Sequence, residues 1–579
     1  MTLRIAFLLS FVLVSLASAA QAERPNVVLI MTDDQGYGDL GCHGNPVVKT
    51  PHIDCLYEES VRLTDFHVNS FCTPTRAALM TGRYSSRTGA YRTSSGRTML
   101  HTDETTIANT FRDAGYATGI FGKWHLGDNF PHRPQDRGFQ ATRWHRCGGV
   151  GQASDYWEND YTDDTYEENG QFKKFDGYCT DVWFEGATEF VEANRDRPFF
   201  VYIPTNAPHG PYRVPEEYAL PYRDKGLWRN GAEFYGMIAN LDENVGRLRE
   251  RLEELELERN TIFIIMTDNG TAQGASFEGL DAIPRAGFNA GMRGKKSSIY
   301  DGGHRVPCFI HWPAGGIVGG KDIDALAAHI DLLPTLVDLC GVARPDKKLD
   351  GRSLAPLLRG ESSEWQDDRT IVMQFQGGAY FAYQPCAWKG SFVMTRQWRL
   401  LDGELLFDIK ADPTQSENVA ADHPEVVQKL REAYLPWWEE VAPRVAEPVC
   451  IGLGDDADNP TTLCSQDWYM ASGNPPWNFG SILRLPKVSG PWMVEIVQAG
   501  TYRITLRQLP VEADQPLREA ATARIEIAGC KRQMPVSEGA KGVTFTLDLP
   551  KCKTTLKTYL IDDSGAERGA YFTTVERVK

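Results

Sequence analysis

The sequence predicts an α/β domain on a mostly parallel sheet, then a small α+β subdomain and an all-β C-terminal domain. Three observations predict it. Continuous apolar runs at 26–32 (NVVLIMT), 199–203 and 261–267 (TIFIIMT) read as strands buried on both faces. Amphipathic helical patterns lie between these runs. Beyond about residue 448, short alternating segments separated by Gly-, Pro- and Asp-containing turns replace both.

The chain starts with a separate object. Arg4 precedes a short apolar run at 5–16, and Ala20-Gln21-Ala22 fits the small-x-small cleavage rule. Residues 1–22 therefore read as a signal peptide, which makes the protein exported, periplasmic or secreted. The run is shorter than a membrane-spanning helix requires, and no later segment is apolar enough to span. The α/β domain is placed at 23–359. In it Ile107, Ala108, Phe111 and Ala114 share one helical face, with Gly115 as the stop. Phe234, Ile238, Leu241, Val245, Leu248, Leu252 and Leu255 form a longer stripe. The acidic and aromatic stretch 156–169 reads as a surface loop. In the subdomain, 360–447, segments 370–375 and 398–408 read as strands. A helix over 423–440 follows, with Pro424 in its first turn. The β-rich domain, 448–579, has strand patterns at 492–497, 501–506, 523–527, 543–547 and 556–561. Trp468, Trp477 and Trp492 in this domain fit its core better than a sugar-stacking surface.

Of the 579 residues, 42% are apolar and 24% charged, ordinary for a globular protein with more than one core. Loss of Arg4 with the signal takes the formal charge from −16 to −17. That balance argues against nucleic-acid binding through bulk charge. An anionic substrate would need positive charge concentrated at its site. Twelve cysteines in an exported chain allow disulfides, with Cys450/Cys464 and Cys530/Cys552 as local pairs. Free buried thiols are an equal reading.

Two strands end alike, as Met31-Thr32-Asp33-Asp34 and Met266-Thr267-Asp268-Asn269. In open α/β sheets, sites form at the carboxyl ends of strands. Two acidic pairs thus arrive where a site is expected, although strand-end Asp residues also cap helices and turns. Cys72-Thr73-Pro74-Thr75-Arg76 places a cysteine at a helix N-terminus, where free N–H groups and the dipole favour an anion. Arg76 stands one turn further on.

That segment, followed by Leu79-Met80-Thr81-Gly82-Arg83, resembles the signature of the formylglycine-dependent sulfatases of the alkaline phosphatase superfamily. A second stretch at 115–127 (GYATGIFGKWHLG) and a third at 293–307 (RGKKSSIYDGGHRVP) resemble further family elements. Asp301 stands where the family usually has Glu. The resemblance covers roughly 23–440 and leaves the C-terminal domain outside it. It implies an alkaline-phosphatase-like fold. It implies that a maturing enzyme oxidises Cys72 to formylglycine, the catalytic nucleophile. By the same implication, one hydroxyl of the hydrated aldehyde attacks sulfur and displaces the alcohol; loss of the second hydroxyl's proton then re-forms the aldehyde and expels sulfate, whereas a serine would be trapped as a stable ester. It implies Ca²⁺, or Mg²⁺, on Asp33, Asp34, Asp268, Asn269 and an oxygen of modified Cys72, a hard donor set unlike that of zinc.

By the same resemblance Lys123 and Lys296 grip the sulfate oxygens, and spacing to Asp301 favours Lys296 over Lys295. His125 assists proton loss from the second hydroxyl. His209, in Asn206-Ala207-Pro208-His209, is the general acid for the leaving alcohol. Arg76 holds the modified residue. The implied substrate is a sulfated carbohydrate, with aryl sulfates as artificial substrates, in a bacterial polysaccharide-desulfating enzyme. The rival readings are a phosphatase or phosphodiesterase of the superfamily and an inactive sulfated-glycan-binding protein. Residues 156–169 and 288–292 are candidates for the pocket wall.

Overall fold

The computed structural model describes residues 24–273, 287–361, 365, 368–377, 384 and 386–578. The signal segment read at 1–22 lies outside the described residues. The elements that position the site are β1 (Asn26–Thr32), α1 (Cys72–Thr81), β2 (Ala117–Lys123), β3 (Phe199–Pro204), α2 (Gly231–Glu254) and β4 (Thr261–Thr267). Every residue of the four strands is buried, as the apolar runs of β1, β3 and β4 require; β2 is buried too although it ends in Lys123.

A ten-stranded sheet carries them in the order Lys321–Ile323, Val61–Leu63, Cys308–His311, β4, β1, β3, β2, Ala141–His145, Thr165–Glu168, Gln171–Lys174. β1 runs parallel to β3 on one side and to β4 on the other. β2 runs parallel to β3 and to Ala141–His145. Cys308–His311 is antiparallel to both its neighbours, and a hairpin closes the far edge. The predicted mostly parallel sheet is therefore mixed at its margins and parallel at its centre. Met31 lies opposite both Pro204 and Met266, so three strands release the chain at one level.

Each sheet face has its own core. Leu29, Met31, Ile120 and Ile264 pack with Leu79 and Met80 of α1. On the other face Val28, Ile30 and Val201 pack with Leu241 and Val245 of α2, the predicted stripe. Full burial of side chains of this kind contributes about 1.5–3 kcal/mol each. The helix read from Ile107 runs to Asp113, and its N-cap Thr106 accepts from the Asn109 amide.

The second unit is a four-stranded antiparallel sheet under the helix Pro424–Ala446. Segment 398–408 is a hairpin, Trp398–Leu401 and Leu405–Asp408, instead of one strand. Asp402 and Gly403 both adopt positive φ and reverse the chain. Segment 156–169 is more than a loop. It includes the strand Thr165–Glu168, and its Tyr161 and Tyr166 are buried.

The C-terminal residues form the expected β-sandwich. One sheet holds Ile451–Leu453, Trp492–Ile496, Cys552–Ile561, Thr522–Ile527 and Cys530–Pro535. The other holds Thr461–Cys464, Phe572–Arg577, Gly500–Arg507 and Val543–Leu549. Their facing residues share one core around Trp468 and Trp492. The sandwich docks on the α/β unit through backbone bonds, including Gly452 N to Phe130 O at 2.8 Å and Ser95 N to Gln466 O at 2.9 Å. All twelve cysteines are free, so neither Cys450/Cys464 nor Cys530/Cys552 is joined.

Arg399 fastens the second unit to the first. Fully buried, it donates to Asp301 at 3.1 Å and to Asp65 at 2.9 Å. Removing one partner of a buried ion pair strands the other charge in low dielectric. We expect Arg399→Ala to cost about 3–5 kcal/mol of stability, read as a lowered thermal midpoint, with Arg399→Lys recovering only part because an ammonium is a point donor.

Candidate active site

The site is built from chain segments that leave the sheet's carboxyl edge. After β1, Asp33 donates its N–H to Ala207 O at 3.0 Å, and Asp34 follows at φ 68°. After β4, Asp268 donates to Thr32 O at 3.0 Å, which ties the two acidic pairs together. Gly270 makes that turn possible, because a Cβ there would meet Gly302 O at 1.9 Å. β2 ends in Lys123, and His125 follows two residues on at φ 57°. The loop carrying Lys296 is pinned by Lys296 N to Thr271 O and Ser297 N to Ser70 O, both at 3.0 Å. Asp34, His125 and Ser297 thus sit in left-handed backbone that non-glycine residues rarely adopt, held there by these contacts.

Cys72 is the first residue of α1, buried, at a helix N-terminus with no side-chain cap. Its Sγ lies within 4.8 Å of carboxylate oxygens of Asp33 and Asp268, which lie equally close to each other. Asp33, Asp34 and Asp268 are all buried, and cations meet them. Lys123 Nζ donates to Asp33 Oδ2 at 2.5 Å. Lys296 Nζ lies 2.5 Å from Asp34 Oδ1. Arg76 donates to Asp268 Oδ2 and to the Lys123 carbonyl, each at 2.9 Å. Asn269 Nδ2 donates to Asp34 Oδ1 at 3.0 Å. Among the described residues, Asp33 Oδ1 and Asn269 Oδ1 are buried without a hydrogen-bond partner.

This environment moves the titrations apart. Burial and the neighbouring Asp33 push the Asp268 carboxyl up to about 7. Burial would also raise Asp34, but Lys296 and His209 outweigh it and hold Asp34 well below the usual carboxylate range. Burial raises the Cys72 thiol despite Lys123 and Lys296 nearby. Burial likewise lowers His125, with Lys123 adding to it, and takes His209 down to about 3 against the pull of Asp34. Both imidazoles are therefore neutral near pH 7 in this arrangement. His125 Nε2 donates to Thr93 O at 3.3 Å, which leaves Nδ1 with a free lone pair. His209 Nδ1 donates to Gly210 O at 2.6 Å, and its Nε2 lies 3.8 Å from Asp34 Oδ2.

The structure brings all ten sequence-derived residues into one place. Cys72, His125, His209 and Lys296 line a cleft of about 300 Å³. Asp33, Asp34, Asp268, Asn269, Arg76 and Lys123 lie in the buried layer around its floor. The cleft wall also holds residues that sequence reasoning did not single out: Arg92, Thr93, Phe375, Gln376, Gln466 and Asn474. Nothing in their local patterns marks them as site residues. Trp477 corrects an expectation. Trp468 and Trp492 are fully buried, but Trp477 is 44% exposed and stands in the cleft wall. Of the two candidate wall segments, 156–169 contributes Asn159 to Tyr161 to an adjoining hollow. Residues 288–292 instead pack behind the Lys296 loop, where Asn289 Nδ2 donates to Gly294 O at 2.6 Å.

A second cluster, His67, Asp301 and His304, also has metal-like spacing. Its atoms are already engaged: His67 Nδ1 and His304 Nδ1 lie 2.9 Å apart, and Asp301 accepts from Arg399. Asp301, the residue departing from the family pattern, thus braces the second unit.

Buried carboxylates matched by cations, opening on a cleft at the carboxyl edge of a parallel sheet, define a hydrolase for anionic esters. The family model described as sulfatase matches residues 25–342, and one described as N-sulphoglucosamine sulphohydrolase, C-terminal, matches 294–436. Human arylsulfatase A is 31% identical over 504 residues, covering 77% of this chain and 94% of that protein. Dog N-acetylgalactosamine-6-sulfatase is 30% identical over 411 residues, covering 66% and 74%. Among solved structures, Ps i-CgsB aligns at 28% identity with a TM-score of 0.63, covering 72% of this chain and 93% of its own. The chain belongs to the sulfatase family and is a hydrolase of sulfate esters.

Gly270→Ala tests the packing of the site. Moving Asn269 by the displacement a Cβ requires is expected to cost about a hundredfold in turnover of 4-nitrophenyl sulfate; unchanged turnover would mean that the turn has room the geometry denies.

Proposed function

We propose that this sulfatase removes O-sulfate from a sulfated carbohydrate, with Cys72 carried as formylglycine and Ca²⁺ held by Asp33, Asp34, Asp268, Asn269 and an oxygen at position 72. The observation that supports it is the convergence of Cys72 with buried carboxylates and lysines at one cleft floor. The donor set fits the metal: three carboxylates and one amide, with Asp33 Oδ1 and Asn269 Oδ1 buried and unpartnered. Oxygen donors of this kind suit Ca²⁺ or Mg²⁺. When bound, the cation would supply positive charge to the nucleophile and the sulfate oxygens. A hydrated formylglycine at position 72 would supply one hydroxyl as nucleophile, displacing the alcohol, and a second whose ionisation would release sulfate.

The chain's own side chains do the rest. Lys123 and Lys296 bind the sulfate oxygens and neutralise charge that grows in the transition state. His125 accepts a proton at Nδ1. His209 delivers one from Nε2 to the leaving alcohol, and an anion bound beside it favours its protonated form. Arg76 is a positioning residue through Asp268 and the Lys123 carbonyl. For the carbohydrate, support comes from the dog relative's name and from Ps i-CgsB, also solved with k-i-k-neocarrahexaose. The catalytic domain is placed at 23–359, its α+β subdomain at 360–447 and the accessory β domain at 448–579. The signal-like segment 1–22 supports export, and formylglycine at position 72 calls for a maturing enzyme. No helix among the described residues is long and apolar enough to cross a membrane.

In the matured enzyme, Cys72→Ala is expected to lower 4-nitrophenyl sulfate turnover by at least about a thousandfold with the thermal midpoint retained. Retained turnover overturns the nucleophile. Calcium at a hundredfold excess over its dissociation constant stabilises by about 2.7 kcal/mol. We expect that as a raised thermal midpoint, abolished in Asp33→Ala. A midpoint indifferent to Ca²⁺ and Mg²⁺ would count against the metal site.

A further inference from the structure

We propose that the C-terminal β domain completes the substrate cleft, with Trp477 as the platform on which a sugar residue of the leaving chain stacks. This rests on the reading of the site as a carbohydrate sulfatase. The cleft of about 300 Å³ adjoins a second hollow of about 400 Å³. The two share three lining residues: Gln152, His209 and Trp477. They form one groove that continues past His209. His209 is the group that protonates the leaving oxygen, so the chain attached to that oxygen extends past it, along the indole.

The loop that carries Trp477 is pinned through its backbone and its neighbours. Trp477 O accepts from Ala153 N at 3.1 Å, and Asn478 forms a β-bridge with Gln152. One residue earlier, Pro476 O accepts from the buried Ser465 hydroxyl at 2.6 Å. Further up the loop, Asn474 Oδ1 accepts from Arg92 at 2.7 Å. Pro475 and Pro476 restrict the chain between these anchors. The loop is therefore ordered before substrate arrives, and little entropy remains to be lost on binding.

Chemistry selects the occupant. An indole face suits the apolar C–H face of a pyranose, burying area at low rotamer cost. Beside it stand the amides of Gln152 and Asn478, whose oxygens accept from Cys147 and Ser481 and whose NH₂ groups are the donors offered to sugar hydroxyls. The one carboxylate in the second hollow, Asp160, is paired with Arg213 at 2.6 Å. A flat sterol or a simple aryl group offers those NH₂ donors no acceptor, which disfavours it. A sulfated oligosaccharide satisfies both the indole and the amides.

The test uses matured full-length enzyme, Trp477→Ala and Trp477→Phe. Substrates are 4-nitrophenyl sulfate, a sterol sulfate, and sulfated galactan and glycosaminoglycan oligosaccharides with their matched monosaccharide sulfates. Wild-type enzyme is expected to prefer an oligosaccharide to its monosaccharide sulfate. In Trp477→Ala the ratio of kcat/KM for that oligosaccharide to kcat/KM for 4-nitrophenyl sulfate falls about tenfold, chiefly through KM. Trp477→Phe recovers most of it. An unchanged ratio overturns the proposal, as does no preference for the longer chain or a preference for the sterol. Failure of wild-type enzyme on 4-nitrophenyl sulfate would instead strike the site reading itself, so the two failures are distinct.

Discussion

Three buried carboxylates within one small volume are tolerable only if cations stand beside them. At low effective dielectric, like charges a few ångströms apart repel by several kcal/mol, and each also loses its hydration. The protein meets this constraint with three basic side chains from three different segments: Arg76 of α1, Lys123 of β2 and Lys296 of the loop after β4. Much else follows from it. The α/β unit must deliver the acids and the bases to one point with little freedom. An overall acidic chain must also gather positive charge exactly where it opens to an anionic substrate. Lys296 and the helix N-terminus at Cys72 face that opening, while Arg76 and Lys123 stay buried below.

The sheet delivers the acids by register. Thr32 pairs with Thr267, so the residues after them emerge side by side, and the Asp268 N–H bonds back to Thr32 O. Pro204 lies opposite Met31, which brings the turn toward His209 to the same edge. Parallel strands with level ends are what a doubly covered sheet produces. The tight turns beyond those ends carry the local strain, at Asp34 and His125, and the close approach at Gly270. The hydrophobic layers on both faces hold these turns in place.

Much of this was legible in the sequence because it is local. Unbroken apolar runs mark β1, β3 and β4, and the acidic pairs directly follow two of them. The Cys72 motif names both a helix start and a family. What was not legible depends on how distant segments dock. Trp477 has the same composition cues as Trp468 and Trp492. Its exposure is decided by a proline-containing loop pinned against Ala153 and Gln152, which no periodicity records. The hairpin within 398–408 was missed although Asp402-Gly403 is a turn signal, because the flanking runs are apolar on both sides. Residues 288–292 are a wall candidate in the sequence, where nothing local shows which way they pack. Their amide and backbone bonds point inward instead, and support that loop from behind.

The account turns on what residue 72 is in the working enzyme. Burial raises the Cys72 thiol among carboxylates, which makes it a poor nucleophile and favours the proposed formylglycine there. Trypsin releases the segment from Leu63 to Arg76 as one peptide. Mass spectrometry of that peptide, from active enzyme made in its native host, tests the claim most directly. The account requires an aldehyde at position 72. An unmodified thiol in fully active enzyme would contradict it.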